Sequence, residues 1–315
     1  MQSSAEKYGR FLAIFPCMLW GMAFPAIKIG YDIFGIASSD SGGQILFAGI
    51  RFFLAGILAW SIGSVIHKKP LLPKRSSLYK IAVLSLFQTF LQYMFFYIGL
   101  AHTTGVKGSI INASNTFFAL FISAVIFRQE RMTIKKWLGL LVGFGGVVVV
   151  NLSGDLSGSM SLHGEGFMLI SGVMSAFSSV LIKKYTEDEL AFTLSSFQFM
   201  LGGAGLAAAG LISKSSPSAS SGIFTISSLP SAIAVVLILA GISAIAYSSW
   251  GVLLNRYEVS GITVFGFLIP IFGSVFSIIA LKEDIRGSLA GIIIALILVS
   301  AGTLLVQTPD EKNQA

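Results

Sequence analysis

The sequence predicts an all-α integral membrane protein with ten transmembrane helices, arranged as two inverted repeats of five helices each. Three observations lead to this fold class. First, apolar stretches of about 20 residues, long enough to cross a bilayer as helices, follow one another with short connections. Second, the chain is 54% hydrophobic and 11% charged, whereas soluble domains have about 25% charged residues. Third, the second half repeats the first, and a unit with an odd number of spans must sit upside down relative to its copy.

The apolar stretches are numbered as spans 1 to 10 in chain order. They cover residues 10–34, 44–66, 78–100, 105–127, 133–151, 164–184, 191–212, 229–254, 259–281 and 286–306. Spans 1 to 5 form the first predicted repeat (10–151), and spans 6 to 10 form the second (164–306). Residues 1–9 and 307–315 are predicted to be short cytoplasmic tails.

The positive charges are distributed unevenly between the two sides of the predicted bundle. With the N-terminus placed in the cytoplasm, 15 of the 21 Lys and Arg residues fall on the cytoplasmic side and four on the outer side. The remaining two, Lys28 and Arg51, fall inside spans. This asymmetry follows the positive-inside rule and predicts that both termini are cytoplasmic. The net charge of +7 therefore needs no nucleic-acid partner.

The duplication becomes visible when the sequence is aligned with itself at an offset of 153 residues, with one residue of slip before span 5. Most of the matches are apolar or glycine residues, which chance supplies freely in such a chain. The pairing of Glu130 with Glu283 at the same offset carries more weight. We therefore predict a duplicated five-span unit.

Four short motifs lie at equivalent or characteristic places in the spans. They are W-G-M-A-F-P-A-I-K at 20–28, I-R-F-F-L-A at 50–55, F-R-Q-E at 127–130 and L-K-E-D at 281–284. Together they resemble the drug/metabolite transporter superfamily, in its ten-helix form built from two EamA-type domains, over essentially the whole chain. The resemblance implies a permease or exporter of small metabolites in the bacterial inner membrane, without a cofactor or metal. It also implies a central cavity lined by spans 1, 3, 4, 6, 8 and 9.

The chain departs from this family pattern in two respects. The proline expected near the middle of span 4 is absent, and Phe117 stands opposite Pro270 of span 9. We therefore predict a kink in the second repeat that the first repeat lacks. Lys28 and Arg51 have apolar counterparts in the second repeat, so any charged site is asymmetric.

The two cations inside spans are candidate functional residues, because a charge at membrane depth is costly. Both lie roughly 10 Å below the outer surface, at 1.5 Å per residue. Trp20, Phe24 and Lys28 share one helix face, which suits a cargo with a carboxylate and an apolar part. Two alternatives stay open: Lys28 pairs with Asp32 one turn away, or Lys28 and Arg51 extend to the outer headgroups.

Neutral polar and aromatic side chains near the midplane form the second group of candidates. Amides and hydroxyls can bind a zwitterion without a fixed charge. The alternative is that they join neighbouring helices by hydrogen bonds. The substrate-binding candidates in this group are Gln88, Gln92, Asn112, Asn115, Tyr247 and Trp250.

Four further residues are candidates for structural or gating roles. Glu130 and Glu283 end spans 4 and 9, where each is predicted to accept hydrogen bonds from the N-terminal amides of the following helix. Pro270 is predicted to let span 9 bend, and Arg51 is included as the second intramembrane cation. G-x-x-x-G patterns at 139–143 and 287–291 predict close helix contacts, within a monomer or between the copies of a homodimer.

The residue types that the spans lack exclude some classes of function. No Asp or Glu lies in the middle of a span, which disfavours exchange of protons for cationic drugs. The histidines lie at span ends or in connections, without the partners that a membrane enzyme needs. We therefore predict a secondary transporter rather than an enzyme. It is expected to export small metabolites, amino-acid-like zwitterions or organic anions, by alternating access; the alternative is an importer or exchanger of a small metabolite or drug.

Overall fold

The chain is a bundle of helices. The computed structural model describes residues 11–128, 132–152, 161–186, 188–214, 223–256, 262, 264–286 and 288–307. No strand occurs among these residues. The predicted tails lie outside them, except for Gln307.

Ten helices, α1 to α10, correspond to the ten predicted spans. Their apolar parts cover Phe11–Phe34, Ser41–Ile66, Arg75–Ala101, Gly105–Ile126, Ile134–Leu152, Leu162–Ile182, Ala191–Lys214, Leu229–Trp250, Phe265–Leu281 and Leu289–Gln307. Within the described residues, nine of them are long and apolar enough to cross a membrane, and α9 is shorter. The predicted start of span 9, at 259–261, lies outside the described residues. The predicted all-α membrane fold is confirmed.

Local sequence signals explain where several helices begin and end. α1 ends at Gly35, whose φ of 61° is the left-handed conformation that glycine adopts without strain. α2 begins after Asp40, whose side chain accepts the amide of Gly43 at 2.9 Å. Thr104 and Ser161 begin α4 and α6 in the same way, accepting amides at 3.1 and 2.9 Å. These caps satisfy backbone donors that would otherwise be unpaired.

Equivalent helices of the two repeats run in opposite directions. Lys28, near the C-terminal end of α1, and Glu165, at the N-terminal end of α6, both bind Thr103. The end of α1 therefore lies beside the beginning of α6. The two repeats are thus inverted relative to each other, as the odd number of spans requires.

Helix packing repeats in the same way. Three contacting pairs join a helix to its own equivalent, namely α2 with α7, α4 with α9, and α5 with α10. Other contacts come in matched couples: α1–α9 with α4–α6, α1–α8 with α3–α6, and α2–α8 with α3–α7. A set of contacts that maps onto itself when the halves are exchanged indicates a pseudo-two-fold axis through the bundle.

Glycines bring α2 and α7 into backbone contact. Four of them recur at every seventh residue of α2: Gly42, Gly49, Gly56 and Gly63. A Cβ atom at Gly49 would overlap the backbone of Ala207, and one at Gly203 would overlap the backbone of Phe53. In a bilayer, where apolar burial from water does not drive helix association, such close approach supplies the packing energy.

The α5–α10 pair also depends on glycine. A Cβ at Gly302 would lie 2.6 Å from the backbone of Gly143, and one at Gly139 would lie 3.0 Å from the carbonyl oxygen of Gly302. The first G-x-x-x-G pattern therefore packs within the chain. Gly287, in the second pattern, lies outside the described residues.

α4 is interrupted, although it contains no proline. The helix breaks at Ala113, whose amide donates to the carbonyl of Ile110 at 3.2 Å in a tighter, three-residue turn. The break falls in the run Asn112-Ala113-Ser114-Asn115, and Asn and Ser side chains compete with helical hydrogen bonds. The hydrogen-bond pattern of α4 is thus interrupted without a proline, which is only one of the causes of helix irregularity. The difference in kinking between the repeats stays a prediction.

The two ends of the bundle are held together by different ionic contacts. The corner end comprises residues 34–40, 101–107, 161–165 and 282–286. The basic end comprises residues 66–75, 185–186 and 188–190. At the basic end, Lys80 pairs with Asp188 and lowers the pKa of that carboxyl group. The backbone amide of Lys74 donates to Glu189 at 3.0 Å. These contacts join the α2–α3 connection to the α6–α7 connection.

Candidate functional site

Five aromatic side chains from α1, α3, α7 and α8 meet inside the bundle. The ring of Trp20 lies 5.3 Å from that of Tyr247 and 5.2 Å from that of Trp250. Tyr247 also contacts the ring of Phe199 at 5.0 Å, and its hydroxyl shares a hydrogen bond of 2.9 Å with that of Tyr93. We call these five residues the aromatic layer. It brings together Trp20, Tyr247 and Trp250, which were predicted separately as substrate-binding residues.

The contacts between α1 and α3 set the depth of this layer. Phe24 contacts Phe96 at 5.6 Å, and the ammonium of Lys28 donates to the carbonyl of Leu100 at 3.2 Å. Both pairs are separated by 72 residues, so the two parallel helices keep one register. Trp20 is therefore level with Gln92, about 6 Å from the Phe24–Phe96 contact toward the basic end.

Four buried glutamines carry amide oxygens without partners, Gln44 at the start of α2 and three others on α3 and α7. Gln88 and Gln92 on α3 and Gln198 on α7 are at most 6% exposed. Among the described residues, none of their Oε1 atoms accepts a hydrogen bond. Buried polar atoms are almost always paired, so an unpaired one needs an explanation. Gln92 precedes Tyr93 of the layer and Gln198 precedes Phe199, while Gln88 lies one turn before Gln92. A free amide oxygen can accept the N–H or O–H groups of a ligand.

The backbone of α3 is unusual at the same place. Residues Ser85–Leu91 form a π-helical segment that contains Gln88 and ends just before Gln92. π-helical turns inside α-helices are rare and frequently occur at functional sites. The sequence singled out both glutamines, but it contains no signal for this backbone irregularity.

The predicted asparagines of α4 lie on either side of the helix break. Gly273 of α9 would place a Cβ beside both Phe24 and Ser109. Since α4 runs antiparallel to α1, Asn112 is roughly level with Trp20. Asn115 lies further toward the basic end and donates to Ser175 on α6 at 3.2 Å. Asn115 thus makes an interhelical bond, whereas Asn112 is half-buried at the depth of the aromatic layer.

Lys28 lies above the layer, at the corner end. Its ammonium donates to the carbonyl oxygens of Leu100 at 3.2 Å and Thr103 at 2.7 Å. These carbonyls belong to the last turn of α3 and the residues after it, where no helical amide follows to bond them. Two of the three ammonium donors are therefore used by the protein, about 12 Å along α1 from Trp20.

Arg51 is fully enclosed between α2, α3 and α8. Its guanidinium donates to the carbonyl of Leu239 at 3.2 Å, the hydroxyl of Tyr97 at 2.5 Å and the hydroxyl of Ser243 at 2.6 Å. The same group lies 4.5 Å above the ring of Phe52. With an exposure of 3%, it does not reach the headgroups, which corrects the alternative that Arg51 extends to the membrane surface.

Glu283 caps a helix, but a different one from that predicted. Its carboxylate accepts the amides of Gly105 at 2.6 Å and Val106 at 3.1 Å, at the N-terminus of α4. It was expected to cap α10, the next helix in sequence. The carboxylate reaches α4 instead because α4 and α9 are packed across the pseudo-two-fold axis. Glu130, its repeat equivalent, lies outside the described residues.

Pro270 is buried where α9 meets α4. Its carbonyl accepts the hydroxyl of Ser109 at 3.4 Å. α9 begins with a tighter 3-10 turn of four residues, Val264–Phe267, which ends three residues before Pro270. The two helices that face each other across the axis are therefore both irregular, α4 at Ala113 and α9 ahead of Pro270.

Sequence reasoning missed a buried ion pair. Lys107 of α4 and Glu165 of α6 are 2.7 Å apart, and their side chains are 5% and 6% exposed. The Glu165 carboxylate also accepts the Thr103 hydroxyl at 3.2 Å and the amide of Ser161 at 3.0 Å. A usable signal existed, because opposite charges lie within the first residues of two spans that begin at the same end of the bundle.

Comparison with known proteins agrees with this architecture. Residues 7–152 and 162–308 each match the model of the EamA-like transporter family. The chain belongs to this family. A transporter of Archaeoglobus fulgidus that has no assigned cargo is 29% identical over 293 residues, covering 88% of this chain and 91% of the relative. A Salmonella typhimurium protein named a probable amino-acid metabolite efflux pump is 24% identical over 295 residues, covering 91% of each.

Further relatives of this EamA-family transporter support its membrane location and fold. A relative from Escherichia coli K12, named an inner membrane transporter, is 24% identical over 187 residues. One crystal structure superposes with a TM-score of 0.64 and 17% identity, covering 94% of this chain and 95% of the other. The EamA-family chain is thus a multi-pass membrane transporter.

Proposed function

We propose that this EamA-family transporter exports small amino-acid-like zwitterions or organic anions that carry an apolar part. The observation that carries the proposal is the aromatic layer, two of whose helices, α3 and α7, also carry the unpaired amide oxygens of Gln88, Gln92 and Gln198. Aromatic rings bind an apolar group, and free amide oxygens bind an ammonium or N–H group. The Salmonella relative named as an efflux pump for amino-acid metabolites supports export.

The transport cycle is alternating access around this layer. Inverted repeats can exchange conformations, so that the site opens first to one side and then to the other. The break at Ala113 and the irregular start of α9 supply bending on both sides of the pseudo-two-fold axis. The protein resides in the bacterial inner membrane with both termini in the cytoplasm. The charge count of the sequence supports this orientation, with the basic end inside and the corner end outside.

Replacing Gln92 tests the proposal. Gln92→Leu removes a buried amide whose oxygen is unpaired, so it should leave the melting temperature unchanged or raise it. If Gln92 binds cargo, the same change should abolish export. We would compare metabolites in spent medium from cells that express wild-type or Gln92→Leu protein at equal membrane levels.

Gln44→Leu is the matched control. The Gln44 amide oxygen is also buried and unpaired, but its NH2 group donates to the carbonyls of Ala37 and Ser38, both at 2.9 Å. Its replacement should lower the melting temperature and leave the selection of cargo intact. Unchanged export by Gln92→Leu would remove this residue from the site, and depletion of a metabolite from the medium would indicate import.

A further inference from the structure

Arg51 is a buried positive charge without a negative partner. Its three hydrogen-bond acceptors, Leu239, Tyr97 and Ser243, are all neutral. Among the described residues, no carboxylate lies within ion-pair distance of its guanidinium. Neutral acceptors satisfy donor geometry, but they leave the charge itself unbalanced.

The sequence offers little chance of another partner. Arg51 lies ten residues into α2, roughly 15 Å from the start of that helix. All 14 acidic residues of the chain lie in connections, in tails or near the ends of spans. A buried, unpaired charge is strongly unfavourable, so its retention at this depth points to a charge that arrives with a ligand.

The guanidinium is anchored one helical turn from the aromatic layer on two helices at once. Its partner Tyr97 lies four residues after Tyr93 on α3, and its partner Ser243 lies four residues before Tyr247 on α8. Four residues correspond to about 6 Å along a helix. Tyr93 and Tyr247 are the two residues whose hydroxyls share a hydrogen bond inside the layer.

We propose that Arg51 supplies the positive charge that selects a carboxylate-bearing cargo at the Tyr93–Tyr247 pair. The carboxylate accepts a hydrogen bond from this tyrosine pair, and Arg51, one turn behind it, balances the negative charge. Arg51 is thus a positioning residue that does not touch the cargo. This inference rests on the proposed function and assigns the anionic group of the cargo to Arg51 rather than to Lys28.

The test neutralises Arg51 without removing it. The Ser243 hydroxyl lies 2.6 Å from the guanidinium, so Ser243→Asp should form an internal ion pair with Arg51. The matched control is Ser243→Asn, because asparagine has nearly the same size and shape as aspartate but no charge. The probes are N-acetyl-L-leucine, which carries a carboxylate, and N-acetyl-L-leucinamide, its neutral counterpart. Binding is followed by the fluorescence of Trp20 and Trp250 with the protein in lipid nanodiscs.

We expect the wild-type protein and Ser243→Asn to bind the carboxylate probe at least about tenfold more tightly than the amide. Ser243→Asp should lose this preference and bind the amide as before. Equal binding of the two probes by the wild type, or a preference that survives Ser243→Asp, would overturn the inference.

A second series guards against misfolding of Ser243→Asp. Arg51→Lys retains the charge and should retain the preference, whereas Arg51→Met should lose it. The experiments distinguish failure of the proposed export function from failure of the proposed role of Arg51. If spent medium shows no exported metabolite while the carboxylate preference depends on Arg51, then export is wrong and the role of Arg51 stands.

Discussion

At the scale of single residues, the two backbone contacts of Lys28 lead us to propose a structural role for it in place of cargo binding. Replacement by Met leaves the carbonyls of Leu100 and Thr103 without their donor. Since hydrogen bonds to a charged group contribute about 2 kcal/mol each, we expect a clear fall in the melting temperature. Binding of N-acetyl-L-leucine should remain, because the ammonium lies about 12 Å along α1 from Trp20.

Nanodisc samples of wild-type and Lys28→Met protein provide both measurements. Lys28→Arg, which keeps a charged donor, should recover part of the lost stability. A Lys28→Met protein that melts like the wild type but no longer binds the probe would return Lys28 to the cargo site.

The sequence predicted the residue types of the candidate site but not the partners of these residues. Trp20, Gln92 and Tyr247 follow from a midplane position and helical spacing. The carbonyl partners of Lys28 could not be predicted, because a backbone carbonyl at a helix end has no sequence signature. The partner helix of Glu283 could not be predicted for a different reason, because it is fixed only by packing across the axis.

At the scale of helices, the glycines of α2 and α7 permit a backbone contact that no larger residue allows. A methyl group at Gly49 would overlap the backbone of Ala207, which cannot move without displacing α7. We expect Gly49→Ala to destabilise the protein by about 3 kcal/mol. Fluorescence-detected gel filtration after heating would measure the loss.

Gly145→Ala on α5 is the control for helix propensity. A Cβ at Gly145 meets no atom within 4 Å, so this variant should be neutral or more stable by up to about 1 kcal/mol. If both alanine variants melted alike, close packing of α2 and α7 would not be what these glycines provide.

The ten helices were predictable because length and hydropathy leave few alternatives in a bilayer. The break of α4 was not, because it depends on local competition for backbone hydrogen bonds. Asn and Ser side chains compete with helical hydrogen bonds without always interrupting a helix, so a run such as Asn112–Asn115 does not by itself predict a break.

At the scale of the whole molecule, a symmetric scaffold carries asymmetric charges. The helix pairs map onto each other when the repeats are exchanged, yet Lys28 and Arg51 have apolar counterparts. The ion pair of Lys107 with Glu165 lies at the corner end, and the pair of Lys80 with Asp188 lies at the basic end. Under the proposed alternating access, this asymmetry would give the opening of the two ends different free-energy costs, although the helix packing is symmetric.

The corner end should therefore open more readily when its buried ion pair is broken. Lys107 and Glu165 join α4 to α6, while Lys28 and Glu283 bind the same corner from α1 and from the connection after α9. The reporter is Ser109→Cys in a background with Cys17→Ser, which removes the single native cysteine. Ser109 is buried below this corner, so a membrane-impermeant thiol reagent should label it slowly.

Adding Glu165→Gln to the reporter protein should increase labelling from the corner end several-fold, since a neutral amide cannot balance the ammonium of Lys107. The charge exchange Lys107→Glu with Glu165→Lys should restore slow labelling. A control that breaks the Lys80–Asp188 pair, Asp188→Asn, should leave labelling from the corner end unchanged. Equal labelling with and without Glu165→Gln would mean that the ion pair stabilises the fold without controlling access. Faster labelling only from the opposite side of the membrane would contradict the proposed orientation.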